Sequence, residues 1–92
     1  MAEVMLVTGG SRGIGRAVAL LAAERGFDVA INYHSHAKAA EDVAKLVREK
    51  GRKAAVIQAD AGREEDVVRL FKEVDAKLGR LSVLVNNAGI VD

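Results

Sequence analysis

Three glycines near the start of the chain stand at a spacing that chemistry can use: Gly9, Gly13 and Gly15, within Thr8-Gly9-Gly10-Ser11-Arg12-Gly13-Ile14-Gly15. The apolar run Val4-Met5-Leu6-Val7 precedes them, and Ile14, Ala17, Val18, Leu21 and Ala22 then recur at helical spacing. A glycine-rich turn between a buried strand and a helix lets backbone N–H groups face a phosphate, and the helix N-terminus adds about half a positive charge. Glycine is required there wherever a Cβ would block a ligand or the chain takes positive φ. The same residues could equally be no more than a tight strand-to-helix turn. Two familiar phosphate loops fail against this spacing. G-x-G-x-x-G placed on Gly13 and Gly15 meets Val18 instead of a glycine. G-x-x-x-x-G-K-S/T placed on Gly10 and Gly15 meets Arg16 and Ala17, without the lysine or the Mg²⁺-binding hydroxyl, so triphosphate chemistry is not expected.

The elements that must carry this loop alternate without exception. After the first strand and helix, with Gly26 as a stop, Asp28 to Tyr33 contains Val29-Ala30-Ile31, a second strand. Ala39, Val43, Leu46 and Val47 make an amphipathic helix ending at Gly51, and Ala54-Ala55-Val56-Ile57 is a third strand. Val67, Leu70, Phe71, Val74 and Leu78 form a third helical stripe closed by Gly79, with Glu64, Glu65 and Asp66 at its positive end. Leu81 to Val85 is a fourth strand, running into Asn86-Asn87-Ala88-Gly89. The order β-α-β-α-β-α-β implies an α/β fold with parallel strands and right-handed crossovers. The expected architecture is the N-terminal half of a Rossmann-like doubly wound sheet, strand order 3-2-1-4. Residues 1–92 then form one partial domain, with no linker or repeat to mark a second.

Composition removes other classes. Fourteen basic against thirteen acidic side chains give a net charge near +1, so neither nucleic acid nor an anionic membrane is an expected partner. With no cysteine, disulfides and thiolate metal sites are excluded. His34 and His36 stand two apart without further ligands nearby, and no metal site is expected, since zinc takes three or four. No apolar run reaches the roughly 20 residues of a membrane span, and no signal peptide is evident, so a cytoplasmic setting is expected.

Taken together, the motifs resemble the short-chain dehydrogenases/reductases. Thr8 to Gly15 matches that family's T-G-x-x-x-G-x-G loop, and Asn86-Asn87-Ala88-Gly89 matches its N-N-A-G motif at the expected separation. Asp60, just after the third strand, falls where the family holds the adenine ring. The likeness runs over the whole chain and is greatest for 3-oxoacyl-carrier-protein reductases and sugar dehydrogenases. Ser82 stands where the family usually has Asp, which puts no cofactor contact in doubt. The resemblance implies that Gly9 and Gly15 shape a loop in which Ser11, Arg12, Gly13 and Ile14 meet the phosphates and ribose. Asp60 and Ala61 would contact adenine; Asn87, Ala88 and Gly89 would line the ribose on the nicotinamide side, with Asn86 bracing the sheet. Taken alone, Asn86-Asn87 reads as a polar turn ending a strand.

NAD-specific enzymes hold the ribose 2′-OH with a carboxylate about 20 residues after the loop, at the end of the second strand. Here Asn32, Tyr33 and His34 occupy that region, and nothing there repels a 2′-phosphate. Arg12 resembles the basic residue that NADP-preferring members use, though Arg12 also reads as a solvated loop side chain. NADP is the expected cofactor, ahead of NAD. The family's chemistry needs a Ser and a Tyr-x-x-x-Lys pair, the lysine stabilising the phenolate. Tyr33 is the sole tyrosine, with Ala37 four residues on, so no catalytic residue is assigned and the chain alone is expected to be inactive. The parent enzyme would interconvert a small carbonyl and a secondary alcohol and form a homo-oligomer. A non-catalytic dinucleotide-binding module and an inert truncated fragment are the alternative readings.

Overall fold

The structure, a computed structural model, describes residues 2–87. Seven elements alternate along them: β1 (Val4–Thr8), α1 (Gly13–Glu24), β2 (Asp28–Tyr33), α2 (Ala37–Glu49), β3 (Ala54–Gln58), α3 (Glu64–Leu78) and β4 (Leu81–Asn86). The four strands form one parallel sheet in the order β3-β2-β1-β4, as the alternation implies. Residue by residue, β1 pairs from Val4↔Asp28 to Val7↔Ile31 with β2. On its other side it pairs with β4 up to Thr8↔Asn86, with an irregularity after Val4 where the backbone N–H of Val4 donates to Ser82 Oγ, 3.4 Å away. Ser82 therefore sits at the sheet's N-terminal end, far from the glycine loop.

The apolar runs of β1 and β2 are explained by burial on both faces. Met5 and Val7 point into one layer with Val29 and Ile31, beneath α1 and α2. Val4, Leu6 and Ala30 point into the other with Ile57, Leu70 and Val74, beneath α3. One face thus carries two helices and the other carries one.

The inward stripe of α1 differs from the spacing read in the sequence. Gly15, Ala19, Ala22 and Ala23 are buried, whereas Ile14 and Leu21 are 61% and 50% exposed. Apolar residues lie all round this helix, so several stripes fit the periodicity; the small side chains win because they let α1 lie close on the sheet. In α3, Leu70 and Val74 are buried as expected, while Phe71 stays partly exposed.

Candidate functional site

The glycine loop leaves β1 at the carboxyl end of the sheet, between the ends of β2 and β4. Chain connections depart in opposite directions on either side of β1, which makes this the crevice where open α/β sheets bind ligands. Gly13 has φ of +57°, a conformation that favours glycine, and directly opens α1. A Cβ on Gly15 would run into the Gly9 carbonyl oxygen and come within 2.7 Å of Asn87 Nδ2. The loop is therefore wound so tightly that only glycine fits at this point. Arg12 precedes the helix in extended conformation, its side chain exposed and making no capping hydrogen bond to the first turn. Ser11 is buried; Ile14 projects outward.

Two asparagines hold the loop from opposite sides. On the β2 side, Gly9 N–H donates to Asn32 Oδ1 at 3.3 Å, and Gly10 N–H donates to the Asn32 carbonyl at 3.0 Å. On the β4 side, Asn87 Nδ2 donates to the Gly9 carbonyl at 3.0 Å, and Asn87 N–H donates to Thr8 Oγ1 at 2.9 Å. The Thr8 hydroxyl lies 3.1 Å from Asn86 Oδ1 and donates to it.

Beside the loop lies a cleft of about 300 Å³ lined by Gly9, Asn32, His34, Ala59, Asp60, Ala61, Gly62 and Asn86. Asp60 closes its far wall. One carboxylate oxygen accepts from Gly62 N–H at 2.9 Å, and the other faces His34 Nε2 at 4.0 Å. The turn is tied to α3 because Asp60 N–H donates to Asp66 Oδ2 at 2.7 Å. Among the described residues no three His, Cys, Asp or Glu side chains converge as a metal site requires, and no helix is long and apolar enough to cross a membrane.

A family model, short chain dehydrogenase, matches residues 3–92. The chain belongs to the short-chain dehydrogenase/reductase family. It is 51% identical over 88 residues to the Escherichia coli K12 oxidoreductase YgfF, covering 96% of this chain and 36% of that protein. Identity is 47% over 90 residues to the 3-oxoacyl-acyl-carrier-protein reductase FabG of Staphylococcus aureus, covering 98% of this chain and 37% of the reductase. Among solved structures, acetoin dehydrogenase from Enterobacter cloacae superposes with a TM-score of 0.91 at 39% identity, over 100% of this chain and 36% of that one. A Burkholderia cenocepacia dehydrogenase with bound NADP gives 0.88 at 34% identity, over 92% and 33%. The chain thus spans little more than a third of the relatives it matches.

Most positions singled out from sequence gather at the carboxyl end of the sheet. Gly9, Ser11, Arg12, Gly13, Ile14 and Gly15 form the loop, and Asn32, His34, Asp60 and Ala61 gather round the adjoining cleft. Tyr33 ends β2 half-buried, packed against the layer beneath α1 and α2. Ala88 and Gly89 lie outside the described residues. Asn86 braces β4 against Thr8, and Asn87 grips the glycine loop as well as flanking it. Asn32 has a job that its position did not announce: it is 2% exposed, and its amide is engaged by backbone groups. Sequence reasoning also passed over Asp66, noted only for its charge at a helix start. Its position six residues after Asp60, on the first turn of α3, was the available signal.

Proposed function

We propose that this chain is the cofactor-binding part of an NADP(H)-dependent short-chain oxidoreductase that interconverts a small carbonyl compound and a secondary alcohol. The observation that carries the reading is the glycine loop, fastened on both sides and opening onto a helix N-terminus that Arg12 leaves uncapped, next to the Asp60 cleft. That arrangement offers N–H donors and a positive dipole end to a pyrophosphate, and a cleft to an adenosine. It fits the group because Gly13, at the mouth of the loop, has positive φ and open space where a side chain would stand, while the loop behind it is packed tight at Gly15. Bound there, the cofactor supplies the hydride; the protein's share is binding and orientation.

Ser11 to Ile14 would meet the phosphates and ribose, Asp60 and Ala61 the adenine, and Asn87 with Ala88 and Gly89 the nicotinamide-side ribose. Preference for NADP rests on Arg12, exposed at the loop, and on a β2 end that carries Asn32, Tyr33 and His34 with no carboxylate among them. The solved relative with bound NADP is consistent with it. Within the 92 residues no tyrosine is followed four positions on by lysine, so binding without turnover is expected of the chain alone. The parent enzyme is read as cytoplasmic and homo-oligomeric.

Titration of the chain with NADP⁺ and NAD⁺, repeated with Arg12→Ala, tests the assignment. NADP⁺ should bind tighter, and the variant should lose roughly tenfold of that preference, as a charge-assisted contact to phosphate would. Equal or tighter binding of NAD⁺ overturns the choice of cofactor. Binding of neither overturns the reading altogether.

A further inference from the structure

We propose that Asn32 is a positioning residue that locks the phosphate loop to the adenine-side wall of the cleft while leaving the ribose to its neighbours. The inference rests on the cofactor-binding reading above and extends it. Parallel strands lose their hydrogen-bond partners where they end, and the departing backbone groups need others. At this edge a single side chain supplies them. Asn32 Oδ1 accepts from Gly9 N–H at 3.3 Å, and Asn32 Nδ2 reaches the carbonyls of Ile57 at 3.3 Å and Ala59 at 3.1 Å. The backbone either side of it continues the stitching: Gly10 N–H donates to the Asn32 carbonyl and Ala59 N–H to the Tyr33 carbonyl, both at 3.0 Å. The loop after β1 and the segment leading to Asp60 are thereby held at one separation through one amide.

Only an amide offers an acceptor and two donors from one short stem. A carboxylate would set oxygen against the Ile57 and Ala59 carbonyls, and an apolar isostere would take the Asn32 acceptor from Gly9 N–H and the amide donor from those carbonyls. Asn32 is buried with these bonds made, whereas His34 is exposed at the cleft. An acidic residue placed at position 32 would therefore damage the cleft without gaining a ribose 2′-OH contact.

The test compares the wild-type chain with Asn32→Asp and Asn32→Ser, each at a temperature where its melt shows it folded. Dissociation constants for NADP⁺ and NAD⁺ are measured together with amide exchange at Gly9 and Ala59. Both variants should bind both dinucleotides roughly tenfold more weakly, with the NADP⁺/NAD⁺ ratio kept and exchange faster at both amides. Should Asn32→Asp give no cooperative melt, Asn32→Ser decides. Unchanged constants in folded variants would reduce Asn32 to a stability role and overturn the proposal, as would Asn32→Asp tightening NAD⁺ alone. A wild-type chain that binds neither dinucleotide instead overturns the functional reading on which the proposal stands.

Discussion

At the scale of single residues, Thr8 shows how little chemistry is needed to set a loop. Its hydroxyl accepts from Asn87 N–H at 2.9 Å and donates towards Asn86 Oδ1 at 3.1 Å, so one oxygen joins the end of β1 to the end of β4. Thr8→Val keeps the shape and removes that oxygen, leaving the Asn87 N–H without its acceptor. The expected cost is about 1–3 kcal/mol in chemical denaturation, the penalty for an unsatisfied, partly buried donor. A loss under about 0.5 kcal/mol would show that water substitutes freely at this position. Thr8 was legible in the sequence as part of the motif. The partner of its hydroxyl was not, because Asn87 lies 79 residues away along the chain.

At the scale of elements, the helix α1 is set by size as much as by hydrophobicity. Ala22 is 4% exposed and its neighbour Leu21 is 50% exposed, although both belong to the periodic pattern. Ala22→Leu should therefore destabilise the fold by about 1–3 kcal/mol through overpacking against the sheet. Leu21→Gln should change stability by less than about 0.5 kcal/mol, as surface substitutions generally do. Thermal or denaturant unfolding of the two variants checks the pair, and the reverse ranking would reject the assigned face. The strands were easier to read than this helix. A four- or five-residue apolar run in an alternating chain has one reasonable interpretation, whereas an apolar helix offers several inward faces and only the sheet chooses among them.

At the scale of the whole molecule, the layers are unequal. β3 is covered by α2 on one face and α3 on the other, while β4 at the opposite margin packs against α3 on one face and turns Val83 and Val85 to the edge of the α1–α2 layer on the other. Among the described residues the outer edge of β4 pairs with no strand, and Leu84 on it is 47% exposed beside Phe71. The segment Leu81–Asn86 carries no charged residue and no proline to deter edge pairing. The 92-residue chain is accordingly expected to self-associate as its concentration rises. Sedimentation velocity should show the shift, and Leu84→Lys should weaken it by placing a charge on the edge. A wild-type chain that stays monomeric at high concentration would count against this.

The element order, the parallel sheet and the position of the glycine loop were determined by the sequence alone. Each follows from local patterns: buried runs of strand length, amphipathic spacing, and glycines where the backbone must turn tightly. The tertiary structure decided what those residues do for one another. It turned the small face of α1 inward and closed Asn87 over Gly15. It also engaged the amide of Asn32 between β1 and β3, a bracing contact that its place at the end of the second strand did not announce. Such roles depend on which strand ends lie side by side. In a sheet ordered 3-2-1-4 those neighbours come from segments tens of residues apart, joined through space by hydrogen bonds that no local pattern encodes.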